Sequence, residues 1–128
     1  MIVYHAGLSE IKKFNFNKNG VHFGGIISAY EAALRKCDEN QKEFIVHKCY
    51  LDIKNVLVSD DLGSHEEWSN VIAEARKNNF DIIKYYNKYE PDTTPSFIVL
   101  NEKCISLLSI FSINVSFAEE EIIKRNFL

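Results

Sequence analysis

The segment that most restricts the fold is Ser96-Phe97-Ile98-Val99-Leu100, a serine leading four apolar residues, which follows the loop Pro91-Asp92-Thr93-Thr94-Pro95. A short apolar run rich in β-branched and aromatic residues, set off by turn residues, reads as a buried strand. Just before the loop stands Tyr85-Tyr86-Asn87-Lys88-Tyr89-Glu90, an aromatic-rich stretch that ends on an acid. Phe80 to Tyr86 is a strand candidate as well, so this half of the chain is sheet-forming.

The remaining elements alternate around these strands. Ile2 to His5 and Val21-His22-Phe23 are short strand candidates. Between them, Ser9-Glu10-Ile11-Lys12-Lys13-Phe14 suits one helical turn capped by Ser9, and Asn15 to Gly20 is turn-rich. From Ile26 to about Lys36, the residues Ile27, Tyr30, Ala33 and Leu34 recur at helical spacing. Phe44 to Ile53 is the longest strand candidate, with imperfect alternation, and Asn55 to Gly63 reads as a connection. Ser64 and Glu67 form a capping box for a helix over 65–78, whose apolar stripe is Trp68, Val71, Ile72 and Ala75. Cys104 to Phe111 reads as a last strand, and Ser116 with Glu119 as the capping box of a short helix reaching about Arg125. The expectation is a mixed α+β fold in a single domain over 1–128, without the βαβα rhythm of a doubly wound sheet.

Charge and cysteine usage narrow the function classes. A net charge of −3 provides no global field to draw in nucleic acid. Cys37, Cys49 and Cys104 are widely spaced and lack CxxC pairing, which fits reduced, incidental thiols. No apolar run approaches the roughly 18 residues of a membrane span, and Met1-Ile2-Val3-Tyr4-His5 turns polar too early for a signal peptide. A cytoplasmic location with no membrane partner is expected.

Three polar landmarks are candidates for chemistry. His5 closes a strand just before Ala6-Gly7, where a ring can meet a ligand or simply bond nearby backbone. His22 lies between Gly20 and the pair Gly24-Gly25, and paired glycines permit close approach of a ligand or an ordinary turn. Glu90, held extended by Pro91, is a carboxylate beside tyrosines that suits general-base or hydroxyl-orienting work. On its own it fits a solvated acid at the start of a loop better than a catalytic one. His47 and His65 show no metal-ligand spacing and read as surface or structural residues. No Gly-x-Ser-x-Gly elbow or phosphate-binding glycine loop is present.

Together the landmarks resemble the His-Tyr-Glu class of ADP-ribosyltransferases, small bacterial and phage members above all. Tyr4-His5-Ala6-Gly7 resembles the first motif of that family, and Gly20-Val21-His22-Phe23-Gly24 with the following helix resembles the second. Phe80-Asp81-Ile82-Ile83-Lys84-Tyr85-Tyr86-Asn87-Lys88-Tyr89-Glu90, then Ser96 to Leu100, resembles the third, most specific block. The resemblance spans residues 2–106. It implies a mainly antiparallel split β-sheet core with flanking helices.

The resemblance also implies an activity. The family cleaves the nicotinamide–ribose bond of NAD through an oxocarbenium-like state and passes ADP-ribose to a nucleophile. His5 would bond a ribose hydroxyl, and backbone at Ala6 or Gly7 would hold the nicotinamide carboxamide. His22, Phe23 and Asn87 would join the NAD site. Glu90 would bind the 2′-hydroxyl, stabilise positive charge and orient the acceptor, which is expected to be a macromolecule, protein rather than nucleic acid. His-Ala-Gly stands where the family has His-Gly-Thr. Ala33 stands about where a nicotinamide-stacking Tyr is expected, and Tyr30, one turn earlier, is the substitute. The resemblance thus leaves two alternatives beside transfer by a toxin-like or phage effector: a non-catalytic binding or inhibitor module, and an NAD-hydrolysing toxin.

Overall fold

A computed structural model describes residues 1–17, 19–63, 65–87 and 94–126. The expected Ser64 cap and Glu90 lie outside the described residues. The fold is α+β, and the described residues form three α-helices and two sheets that are mostly antiparallel. In chain order the elements are β1 (Ile2–Gly7), β2 (Val21–Phe23), α1 (Ile26–Leu34), β3 (Glu43–Leu51), β4 (Val56–Val58) and α2 (His65–Lys77). They continue with β5 (Ile82–Tyr85), β6 (Ser96–Val99), β7 (Ile105–Asn114) and α3 (Val115–Asn126).

The first sheet has the order β1-β3-β7 and is wholly antiparallel. The second has the order β2-β6-β5-β4, antiparallel except for the β4/β5 pair. Side-chain alternation explains how they stack. Val3 of β1 and Cys49 and Leu51 of β3 meet Val21, Phe23, Ile82, Phe97 and Val99 of the second sheet in a shared core. On the far face of the first sheet, Ala6, Phe44 and Val46 pack against α1 and against Ala118 of α3. On the far face of the second, Ile83, Tyr85, Ile98 and Leu100 receive Trp68, Ile72 and Ala75 of α2.

This layering accounts for the imperfect alternation of β3. Phe44 and Val46 face the helices while His47, Cys49 and Leu51 face the other sheet, so both sides of the strand are buried in its first half. Ser96 to Leu100 is buried throughout, as its composition requires. No helix among the described residues is long and apolar enough to cross a membrane.

Three local expectations need correction. Residues 9–14 form no helical turn; the Ile11 amide is taken by a side chain of β3 and Phe14 packs among aromatic rings, so tertiary partners replace helical bonds. Val56–Val58 is a strand, not a connection, recruited by parallel pairing with β5. The last helix starts at Val115, and Asn114 Oδ1 accepts from the Ser116 amide at 2.8 Å, so Asn114 takes the capping role expected of Ser116.

The approach to β2 depends on Gly20, whose φ is +65°. A Cβ there would lie 2.6 Å from Ile98 Cγ2 and 2.9 Å from the Val99 carbonyl oxygen. Gly20→Ala combines a strained backbone with overpacking against a fixed strand. It is expected to cost about 2–5 kcal/mol in a urea unfolding titration, with its m-value unchanged.

Candidate functional site

The two sheets meet edge to edge at one point outside their regular ladders. Tyr4 of β1 donates its amide to the Gly24 carbonyl at 2.8 Å, and the Gly24 amide returns the bond to Tyr4 at 3.0 Å. A side chain at residue 24 would intrude here: its Cβ would stand 2.9 Å from Ser96 Oγ and 3.4 Å from Ser28 Cβ. At this seam opens a cleft of about 670 Å³, in the range of small-molecule sites.

Of the residues expected at a site, His5, Ala6, His22, Phe23 and Asn87 line this cleft. His5 Nδ1–H donates to the His22 carbonyl at 2.9 Å, which fixes the tautomer and leaves Nε2 as the acceptor nitrogen. The His5 ring lies 5.4 Å from Phe14 and 5.8 Å from Phe23. Burial pushes the His5 imidazole below its ordinary value; the bond to the His22 carbonyl opposes the shift, and His47 and Lys36 reinforce it. The His22 ring turns to the other face of β2, where Nδ1 lies 2.9 Å from Tyr85 Oη and the ring stands edge-on to Trp68. Asn87, two residues beyond β5, donates from Nδ2 to Ser96 Oγ at 2.6 Å and to Ser28 Oγ at 3.3 Å. Amide and hydroxyls thus form one polar cluster drawn from the segment after β5, from β6 and from α1.

Two expected residues are elsewhere. Tyr30 is buried under α1 with its ring 5.8 Å from Phe44, among residues that pack the first sheet against α3. The cleft face of α1 is instead Ser28, Ala29, Ala32, Arg35 and Lys36, so the helical phase that buries Tyr30 turns it from the cleft. Gly7 ends β1 opposite Ile45 and is not part of the cleft lining.

Sequence reasoning missed Ser28, Ser96, Tyr85 and Phe14 as lining residues. A serine on the apolar face of a helix and another heading a buried strand were the available signals, since a buried hydroxyl needs a partner. Phe14 gave none, because its place depends on the loop's path. That path is set by His47, which is fully buried between the sheets, opposite His5 in the β1/β3 register. Its Nε2 accepts from the Ile11 amide at 2.9 Å, and its Nδ1 donates to the His5 carbonyl at 3.4 Å.

A second cleft of about 660 Å³ lies across the same loop and shares Lys13, Phe14 and Asn15 with the first. Its polar groups are largely structural: Arg76 donates to the Phe16 and Leu100 carbonyls, and Asp81 accepts from Asn55 and Asn101. The seam cleft is the one where a half-buried imidazole, a second histidine and an amide–hydroxyl cluster converge, which makes it the candidate site. Comparisons with protein-family models, curated proteins and solved structures gave no match. The site is therefore read from its own geometry.

Two outcomes test this geometry. His47→Leu keeps the volume but orphans the Ile11 amide, and is expected to cost about 1–3 kcal/mol. Hydrogen exchange at Ile11 should accelerate relative to core amides, while His47→Gln, which keeps an acceptor, retains part of the protection. Because folded His5 binds its proton below the unfolded value of 6.5, the native state takes up fewer protons than the unfolded chain as pH falls through that value. Its contribution is complete above pH 6.5 and is lost on acidification below it, and His5→Phe should shallow the acid limb of a stability–pH curve.

Proposed function

We propose that the protein is an NAD-dependent mono-ADP-ribosyltransferase of the His-Tyr-Glu type, on an ADP-ribosyltransferase-like split-sheet fold, acting on a macromolecular acceptor, a protein before a nucleic acid. The observation that carries the reading is the convergence of His5, Ala6, His22, Phe23 and Asn87 on one cleft from β1, β2 and the end of β5. These residues belong to the three motif-like blocks, which lie far apart in the chain.

The chemistry follows from the groups. His5, its Nδ1–H spent on the His22 carbonyl, offers Nε2 to a ribose hydroxyl. Asn87 with Ser28 and Ser96 supplies amide and hydroxyl groups for the sugar or the carboxamide. The nicotinamide–C1′ bond breaks with its electron pair leaving on the ring nitrogen, so neutral nicotinamide departs and the positive charge passes to the ribose. The acceptor nucleophile forms the new bond to C1′ and loses its proton to a base. Glu90, three residues beyond Asn87, is assigned to the cationic ribose and to that proton. A fixed carboxylate at a developing cation supports the rate in the way other preorganised charges do.

One observation favours a second reading. With Tyr30 in the core and Gly7 outside the cleft lining, the end of the site expected to hold nicotinamide departs from the resemblance, which suits a binding or inhibitor module on the same fold.

Incubation of the full chain with labelled NAD and a cell lysate separates the two. Transfer is expected, with labelled ADP-ribose on protein. Glu90→Gln is expected to lower it by about 100-fold or more while leaving the circular dichroism spectrum unchanged. Full activity in that variant overturns the role given to Glu90, and NAD neither bound nor consumed by the wild type favours the binding module. Because protonation of His5 removes the Nε2 acceptor, kcat/KM should fall as pH drops below 6.5. A His5→Gln variant should lose that limb.

A further inference from the structure

The chain carries a net charge of −3, yet each charged residue that lines the seam cleft, among the described residues, is cationic: Lys13, Arg35 and Lys36. They come from two separate elements. Lys13 is on the irregular segment 8–17 after β1, whose backbone is held in place by His47 at Ile11 and by Arg76 at Phe16. Arg35 and Lys36 follow the last turn of α1, beyond Ala32, which also faces the cleft.

Part of this pattern has an ordinary cause, because cations at the end of α1 offset the partial negative charge of its carbonyls. Lys13 is on no helix, so that cause does not extend to it. All three side chains are exposed. Their placement on the wall of a concave site, backed by an apolar core, focuses positive potential into the cleft. The charge is felt inside: Lys36 is among the groups that hold the His5 imidazole below its ordinary value.

We propose that Lys13, Arg35 and Lys36 form an anion subsite of the seam cleft that takes the diphosphate of a dinucleotide, while the rings and hydroxyls around His5 and Asn87 take its uncharged parts. The identity of the dinucleotide rests on the ADP-ribosyltransferase reading; the preference for a diphosphate rests on charge and position. Phosphate oxygens accept strong charge-assisted hydrogen bonds from ammonium and guanidinium groups, and three cations suit a doubly charged diphosphate.

Calorimetric titration of the full chain with ADP, ADP-ribose and adenosine tests the subsite without any turnover. ADP and ADP-ribose are expected to bind roughly tenfold or more tightly than adenosine, with the preference shrinking between about 50 and about 200 mM salt. The Lys13→Gln/Lys36→Gln double variant should lose roughly tenfold for ADP and ADP-ribose and nothing for adenosine, and Lys36→Glu should lose more than Lys36→Gln. The subsite is overturned if ADP binds no better than adenosine, or if the double variant binds ADP as the wild type does. ADP held through these lysines by a protein that never consumes NAD leaves the subsite standing and removes the transferase reading. NAD turned over with the same KM by wild type and double variant removes the subsite and leaves the transferase reading.

Discussion

The reciprocal backbone pair between Tyr4 and Gly24 is the constraint on which the rest of the molecule turns. Each sheet is complete within its own ladder, and the shared core of Val3, Phe23, Leu51, Phe97 and their neighbours gives the sheets reason to stack. Apolar contact is non-directional and leaves their offset free. Two hydrogen bonds of 2.8 and 3.0 Å between the edges of β1 and β2 remove that freedom. Once Tyr4 faces Gly24, His5 is the next residue on one strand and His22 is two residues back on the other. The bond from His5 Nδ1 to the His22 carbonyl is then within reach. Glycine is needed at the joint because Ser96 and Ser28 already occupy the space of a side chain.

What the sequence discloses and what it hides follow from how local each cause is. The strands at Val21–Phe23, Ser96–Val99 and Ile105–Asn114 and helices α1 and α2 are legible, because composition and periodicity decide them within a few residues. The path of residues 9–14 was hidden because the bonds that hold it, at Ile11 and Phe16, go to His47 and Arg76, 36 and 60 residues away in the chain. β4 was hidden for the same reason, since three residues become a strand only when β5 offers an edge. At the site, His5 and His22 stood out as polar residues on short strands beside glycines and Asn87 only through the family resemblance, while β1 runs two residues past His5 to Gly7. Ser28 and Ser96 looked like ordinary residues of a helix and a strand, and their role appears only when Asn87 binds both. Tyr30 was misplaced by one helical face: spacing shows that residues share a face, but not which face meets the cleft.

The histidine under the seam shows why a polar group was kept where an apolar one would pack. Position 47 is fully buried between the sheets, and its neighbours are largely aromatic. A leucine there would satisfy the core and leave the Ile11 amide without a partner, at the cost of an unmade buried bond. With histidine, Nε2 takes that amide and Nδ1–H reaches the carbonyl of His5. One ring therefore ties the loop that walls the cleft to the strand that carries His5. The Phe14 ring then fits between His5, His47 and Phe23 at centroid distances of 5.3–5.4 Å, an arrangement that aromatic edges favour.

The same loop links the structural and the electrostatic halves of the cleft. Phe14 closes its apolar side while Lys13, one residue earlier, adds charge to its wall. A loop without secondary structure of its own would ordinarily carry such residues loosely. Here the tether at Ile11 and the Arg76 bond at Phe16 bracket both residues, so a ring and a cation are presented within a six-residue span held at both ends. The uncharged floor lowers the local dielectric, which strengthens the interaction of any anion with Lys13, Arg35 and Lys36 relative to open solvent. It also burdens the proton on His5, which keeps Nε2 an acceptor near neutral pH. The apolar packing that stabilises the seam thus also makes its few polar groups effective.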